Sequence, residues 1–346
     1  MFRKGEGMRT REELKMLQSL SLEVKIAKTQ QRIREWVTYF GVEGVYVSFS
    51  GGKDSTVLLH IVREMYPDVE AVFVNTGLEY PEIQRFVKTF DNVKILYPKM
   101  KFYEVIQKYG YPVITKKISR VIGSAQRGVK WALDYVYLRG SAVKDGKVTM
   151  WNANKYKDLL NVDFRISNKC CDIIKKKPMH DFQIKYDKKA ITGQMAAESN
   201  QRENNWLKFG CNMFDAKYQI SNPLSFWREQ DILQYITDNN IKIASLYGDV
   251  MPIDGQIFFD CIDCKLCTTG LDRTGCIFCG FGAHLEKGET RFQRLKRTHP
   301  KQYDYCINGG GYDVDGLWKP NKNGMGMGHV FDVLNSIYGE DFIKYK

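Results

Sequence analysis

The sequence predicts an α/β protein built on a doubly wound parallel sheet. Three observations predict it. Val45, Tyr46, Val47 and Phe49 form a β-branched and aromatic run that ends abruptly in Ser50-Gly51-Gly52-Lys53-Asp54-Ser55. The apolar stretch from Thr56 to Val62 follows at once, so a buried strand, a glycine turn and a helix stand in series. Two further apolar runs, Glu70–Asn75 and Asn92–Tyr97, alternate with helical stretches over short links, the pattern of a parallel sheet with crossover helices.

Residues 1–43 read as helical, with Leu20, Leu22, Val24, Ile26, Ile33, Trp36, Val37 and Phe40 on one irregular apolar face beside the first strand. Residues 45–49 are that strand and 54–66 the first crossover helix. Two glycines let the backbone approach an anion with no Cβ in the way. Helix N–H groups then point at it, and Lys53 adds a charge. Ser50–Ser55 is therefore a phosphate cradle, although it lacks the G-x-x-x-x-G-K-[ST] spacing of a P-loop. The second strand ends in Asn75-Thr76-Gly77, and Pro81-Glu82 opens the next helix. Ligands of such sheets sit at the carboxyl ends of the strands, where Asn75, Thr76 and Gly77 fall. Phe102–Tyr109 is a short helix.

Residues 110–168 read as an inserted lobe. It holds a basic helix-like stretch (Thr115–Gln126), the aromatics Trp131, Tyr135, Tyr137, Trp151 and Tyr156, and a turn at Lys144–Lys147. Aromatics among basic residues can stack bases or form a core, and core is the simpler reading. Ala190–Gly193 is a strand and turn, Gln194–Arg202 opens a helix, and Leu224–Asn240 is a helix capped by Ser225. The divisions expected are a helical segment over 1–43, a nucleotide-binding α/β domain over 44–225 with a lobe at about 110–168, and a helical, cysteine-rich region over 226–346.

The chain has 346 residues and a formal net charge of +12. Basic residues gather at Lys116, Lys117, Arg120, Arg127 and Lys130, at Lys169 with Lys175–Lys177, and at Arg291, Arg294, Lys296, Arg297 and Lys301. They are solvated surface or an attraction for a nucleotide or a nucleic acid. No run of 18 apolar residues spans a membrane, and the first residues lack the apolar core of a secretory signal, so a cytoplasmic location is expected. In that compartment nine cysteines point to metal or redox chemistry more than to disulfides. Five fall in CIDCKLCTTGLDRTGCIFC, residues 261–279, and Cys170-Cys171 stand together upstream. By spacing alone, Cys261 and Cys264 with Cys276 and Cys279 make a plausible zinc ribbon.

SGGKDS at a strand-to-helix junction resembles the PP-loop of the ATP pyrophosphatase superfamily, whose sheet is of the adenine nucleotide alpha hydrolase type. The resemblance implies that Ser48, Ser50, Gly51, Gly52, Lys53, Asp54 and Ser55 bind ATP or a related nucleotide, and that Asp54 helps place Mg²⁺. VNTGLEYPE resembles the superfamily's D-T-G-x-x-x-P-E segment, with Asn75 where an Asp is common. Cys170-Cys171, Ile191-Thr192-Gly193-Gln194, Arg202 and Gly275-Cys276-Ile277-Phe278-Cys279 occur in the order seen in the phosphoadenosine/adenosine phosphosulfate reductase family. That resemblance covers roughly residues 45–282 and is strongest to a bacterial and phage branch. It implies a [4Fe-4S] cluster on Cys170, Cys171, Cys276 and Cys279, with zinc as the alternative, and adds Gly193 and Arg202 to the nucleotide site.

Two departures stand against a plain reductase. The family's arginine pair after Thr-Gly-x is here Met195 and Ala196, and its tail nucleophile is missing, Cys306 being the last cysteine. The implied activity is therefore adenylation with Lys53 and Asp54 at its centre, in the service of sulfur transfer to a nucleic acid, with a thiol or sulfur-donor protein as partner. The alternatives are a reductase that takes adenosine phosphosulfate or phosphoadenosine phosphosulfate (PAPS) and releases sulfite, and a non-catalytic binding module.

Overall fold

The computed structural model describes residues 9–253 and 265–346. The chain opens with α1 (Arg11–Gln18) and α2 (Leu22–Phe40). Strand and helix then alternate through β1 (Val45–Ser48), α3 (Lys53–Met65), β2 (Ala71–Val74), α4 (Pro81–Val87) and β3 (Val93–Leu96). Next come α5 (Phe102–Tyr109), β4 (Val113–Ile114), α6 (Lys116–Ala125), α7 (Lys130–Tyr137) and a hairpin of β5 (Val143–Lys144) and β6 (Lys147–Val148). A short α8 (Lys169–Cys171) passes through a π turn over Asp172–Lys176 into α9 (Lys177–Tyr186). β7 (Lys189–Thr192), α10 (Asn200–Phe209), β8 (Ile220–Ser221), α11 (Glu229–Asp238), β9 (Val250–Pro252) and β10 (Leu266–Thr268) follow. The last elements are β11 (Gly280–Phe281), α12 (Arg291–Thr298), α13 (Pro300–Ile307), β12 (Gly311–Tyr312), β13 (Trp318–Lys319) and α14 (Met327–Tyr338).

These elements form two interleaved units. The first takes the described parts of Met1–Asn75, Glu79–Leu96 and Met179–Thr274. Its sheet has five parallel strands in the order β3-β2-β1-β7-β8, with Val47 opposite Ala71 on one side and Ile191 on the other. The direction of winding reverses between β1 and β7, which places a crevice at their carboxyl ends. Val45, Tyr46 and Val47 are wholly buried, as a central strand covered on both faces must be. α3 contributes Val57, Leu58, Ile61 and Val62 to the core, and α2 contributes Ile33 and Trp36. The Trp227 indole donates to the Thr29 hydroxyl at 2.8 Å, which ties α2 to the segment before α11.

Two helix starts differ from the sequence expectation. α11 begins at Glu229, and Ser225 does not cap it; its hydroxyl donates to the Asn222 carbonyl at 2.6 Å. Asn222 to Trp227 are buried without a break, and a helix with one apolar face cannot bury six successive side chains. After β7, Ala196–Glu198 make one 3₁₀ turn, and α10 starts only at Asn200. Ser199 is extended there, and its hydroxyl accepts from the Arg202 N–H at 3.3 Å.

The second unit takes Thr76–Leu78, Tyr97–Pro178 and Gly275–Lys346. β4 and β11 pair in parallel, Val113 opposite Gly280. The lobe's core consists of Ile118, Val121, Ile122 and Ala125 of α6 with Ala132, Val136, Leu159 and Phe164. The reading of its aromatics as core is thereby corrected. Trp131, Tyr135, Trp151 and Tyr156 are only half-buried and Tyr137 is exposed, while these buried positions are taken by aliphatic side chains and Phe164. Among the described residues no helix is long and apolar enough to cross a membrane.

The turn from β1 into α3 sets a steric test. Gly51 has φ of +71°, and a Cβ there would lie 2.8 Å from Val87 Cγ2 and 2.9 Å from Ile83 Cγ2. Gly51→Ala should cost about 1–3 kcal/mol in urea unfolding; an unchanged midpoint would refute this account of the turn.

Candidate active site

The pocket grows from the β1–α3 junction. Gly52 precedes α3 and no side chain caps the helix, so its first-turn N–H groups are left for another acceptor. The loop is held from within. The hydroxyls of Ser50 and Ser55 lie 3.0 Å apart, and those of Ser55 and Thr56 donate to the Gly52 carbonyl at 2.9 and 3.0 Å. Across the crevice, Gly193 follows β7. A Cβ there would lie 3.1 Å from the Asp54 carbonyl oxygen, so glycine is what lets the two strand ends close on one another.

Between them is a cavity of about 300 Å³, near the lower end for small-molecule sites. Ser48, Ser50, Gly52, Lys53, Asp54, Ser55, Gly193 and Arg202 line it, joined by Thr192, Gln194, Glu198, Tyr247, Arg273 and Thr274. Gly51 faces α4 instead. Asn75 directly follows β2, its N–H donating to the Leu96 carbonyl at 2.9 Å, while Thr76 and Gly77 fall in the second unit. A larger, more open groove of about 1300 Å³ runs past His60, Arg63 and Phe90, but no residue of the glycine loop lines it.

Charge in the cavity is paired. Lys53 is buried, its Nζ 2.5 Å from Glu229 Oε1 and bonded to the Asp272 carbonyl. Arg273 reaches Glu229 at 3.3 Å and Glu198 at 3.8 Å, and Arg202 also pairs with Glu198. Asp54 is the exception: its Oδ1 is buried without a hydrogen-bond partner. Burial pushes the Asp54 carboxyl above its ordinary range against the pull of Lys53. Burial likewise lifts the Tyr247 phenol to about 12, so it is neutral and shares a 2.9 Å hydrogen bond with Thr274. A buried carboxylate oxygen without a partner at the amino end of a helix is a donor that would suit a divalent cation. Glu198, Glu229, Tyr247 and Arg273 are invisible to motif reading, since nothing in their spacing links them to the loop. Met195 and Ala196, where the resemblance expects arginines, are buried.

The second unit brings the four expected cysteines into mutual influence. Cys170 and Cys171 have their sulfurs 3.9 Å apart, and Cys276 and Cys279 both act electrostatically on Cys170. The contact between the two sulfurs, with burial, pushes the Cys170 thiol up, and the same contact with Lys116 and Lys175 pulls Cys171 down. Burial raises Cys279. Tetrahedral zinc, with Zn–S about 2.3 Å, needs sulfurs about 3.8 Å apart. Among the described residues no three His, Cys, Asp or Glu side chains converge closely enough for a single ion. The 3.9 Å between the Cys170 and Cys171 sulfurs is close to the zinc spacing, and the donor set suits either zinc or, with one thiolate per corner iron, an iron–sulfur cluster. Cys261 and Cys264 lie outside the described residues. Cys306 is wholly buried, and burial pushes its thiol well above the ordinary range.

Comparison with known proteins gives a context for both sites. The phosphoadenosine phosphosulfate reductase domain model matches residues 44–113 and 131–279. Two uncharacterised proteins of Methanocaldococcus jannaschii are similar, one 23% identical over 80% of this chain and 51% of its own length, the other 37% identical over 80% and 45%. The chain thus spans about half the length of these two relatives. An adenosine 5'-phosphosulfate reductase of Staphylococcus epidermidis is 22% identical over 68% of this chain and 76% of its own.

The raised Asp54 pKa fixes a sign. An ionised, unpartnered carboxylate costs stability above its folded-state pKa, and that cost disappears as pH falls into the protonated range. Asp54→Asn should therefore raise the melting temperature of the unliganded protein at neutral pH by roughly 2–4 °C, the shift expected for about 1 kcal/mol. It should also remove Mg²⁺-dependent nucleotide binding in calorimetry. A lower melting temperature with intact binding would contradict the assignment.

Proposed function

The chain belongs to the phosphoadenosine phosphosulfate reductase domain family, and from that premise we propose that it binds ATP at the Ser50–Ser55 loop and adenylates an acceptor. The observation that carries this reading is the uncapped amino end of α3, which opens beside the orphaned Asp54 into a cavity flanked by Arg202 and Arg273. In this reading an acceptor oxygen attacks the α-phosphorus, the bond to the β-phosphate oxygen breaks, and pyrophosphate leaves with the electron pair. The first-turn N–H groups of α3 hold the growing charge on the leaving group. Lys53 exchanges Glu229 for a phosphate oxygen, Asp54 holds Mg²⁺, and Arg202 and Arg273 orient the phosphates.

Cys170, Cys171, Cys276 and Cys279 would hold an iron–sulfur cluster, which supplies a place to carry sulfur towards a nucleic-acid acceptor. Lys116 and Lys175 favour thiolate at Cys171, and Arg291 steadies the Cys276–Cys279 turn by donating to the Cys279 carbonyl at 3.0 Å.

A second reading is sulfonucleotide reduction. Arg202 and Arg273 favour it, since two guanidinium groups in the cavity suit a sulfate or phosphate group. Cys306 speaks against it, since a wholly buried thiol cannot reach a substrate as a thiolate.

Anaerobically purified protein should contain roughly four irons per chain with broad visible absorbance, and Cys276→Ser should lower the iron. Incubation with ATP and candidate acceptors should release pyrophosphate, and Lys53→Ala should slow this by about 100-fold or more, the order reached when one transition-state donor is removed. Sulfite release from PAPS or adenosine phosphosulfate, with no pyrophosphate from ATP, would favour reduction instead. Stoichiometric zinc without iron would refute the cluster.

A further inference from the structure

We propose that the inserted lobe carries a stacking surface for single-stranded nucleic acid, made by α6 with Trp131, Tyr135 and Trp151. The family match stops at residue 113 and resumes at 131. The segment it passes over is α6 and the approach to α7, so Lys117 and Arg120 lie outside the matched pattern, while Trp131, Tyr135 and Trp151 lie within it.

The geometry joins rings and cations into one face. Lys117 and Arg120 stand three residues apart on α6, both exposed. Lys117 Nζ lies 3.5 Å from the centre of the Trp151 ring, and the Arg120 guanidinium lies 5.4 Å from that of Trp131. Tyr135 stands between the two, 6.4 Å from Trp131 and 5.6 Å from Trp151, centre to centre. The rings are only half-buried, while the lobe's core consists of aliphatic side chains and Phe164.

Charge decides the partner. Residues 115–154 hold eight basic and two acidic side chains. Of the acids, Asp134 is buried and accepts from the Ser141 N–H at 3.0 Å. Lys116 pairs with Asp172 and Arg139 with Asp134, but among the described residues no carboxylate pairs with Lys117 or Arg120. Each lies over a ring face, from which a flexible side chain can swing onto a phosphate. Aromatic faces that take over as the cations leave match unpaired bases, whose own faces are free. A duplex hides its base faces by stacking, and a simple polyanion has none.

The inference deepens the adenylation reading by giving the acceptor a chemical class, yet binding of the strand requires no nucleotide. The test uses the full chain and fluorescein-labelled mixed-sequence oligonucleotides of about 20 nucleotides, as DNA, as RNA and as duplex DNA, followed by anisotropy at several salt concentrations. Single strands should bind at low salt and more tightly than the duplex, and the tighter of the two single-strand arms names the sugar. Trp131→Ala with Trp151→Ala should weaken binding by about 10-fold or more. Lys117→Gln with Arg120→Gln, which leaves the rings in place, should weaken it and flatten the salt dependence by about one to two released ions. Both variants should keep ATP binding, and the Lys117→Gln with Arg120→Gln variant, whose side chains are exposed, should also keep the parent's melting temperature.

Lys53→Ala should bind the strand normally while losing pyrophosphate release, so failure of the nucleotide reading and failure of this one are distinguishable. Absence of binding at low salt would overturn the proposal. So would equal affinity for duplex or heparin together with indifference to the tryptophan substitutions.

Discussion

The turn from β1 into α3 leaves no room for a side chain at residue 51, and the site depends on that constraint. Ile83 and Val87 press against the backbone there, so the loop cannot relax outward. Ser50, Ser55 and Thr56 then turn their hydroxyls inward and hold the loop closed on itself. What remains for a ligand is backbone at the amino end of α3, facing the end of β7 across Gly193. The reversal of strand order between β1 and β7 puts this junction in a crevice, so sheet topology and local sterics select the same place. Side chains adjust a pocket that the backbone has already made.

The sequence made β1, β2 and β7 legible because buried parallel strands are continuous apolar runs, and β3, a half-buried edge strand, still carries three apolar residues in four. It made the loop legible because the complete Ser-Gly-Gly-Lys-Asp-Ser stands at the junction, where a glycine pair alone would often be only a tight turn. Other features escaped it for physical reasons. The start of α11 was hidden by the burial of Asn222–Trp227, which apolar content alone cannot separate from helix. The lobe's aromatics were read as core because composition does not reveal which side of a ring meets water. Lys53 was visible, but its partner Glu229 is far along the chain and carries no motif. Arg273 sits inside a cysteine-rich stretch that drew attention to its thiols, while the positions after Thr192-Gly193 went to buried Met195 and Ala196.

The interleaving of the two units also shapes the cysteine group. Cys170 and Cys171 belong to Tyr97–Pro178, whereas Cys276 and Cys279 belong to Gly275–Lys346, and the chain builds much of the other unit between them. The two pairs come under each other's electrostatic influence only once both segments have folded together. A group bound to all four would therefore stabilise the folded unit over its unfolded state. The π turn directly after Cys171 is a local irregularity of the kind helices show at functional positions.

Glu229 holds Lys53 with one oxygen and Arg273 with the other, while Glu198 occupies Arg202. At rest the cavity is thus a poor trap for the small anions that crowd any cell. A lone phosphate or sulfate would have to break these pairs with a single charged head and would leave carboxylates stranded. A polyphosphate arriving with its metal ion brings several oxygens for the cations and positive charge to settle the carboxylates in the same event. Discrimination in such a site comes from how much a visitor must rearrange, and it rejects common anions without needing a shape that excludes them.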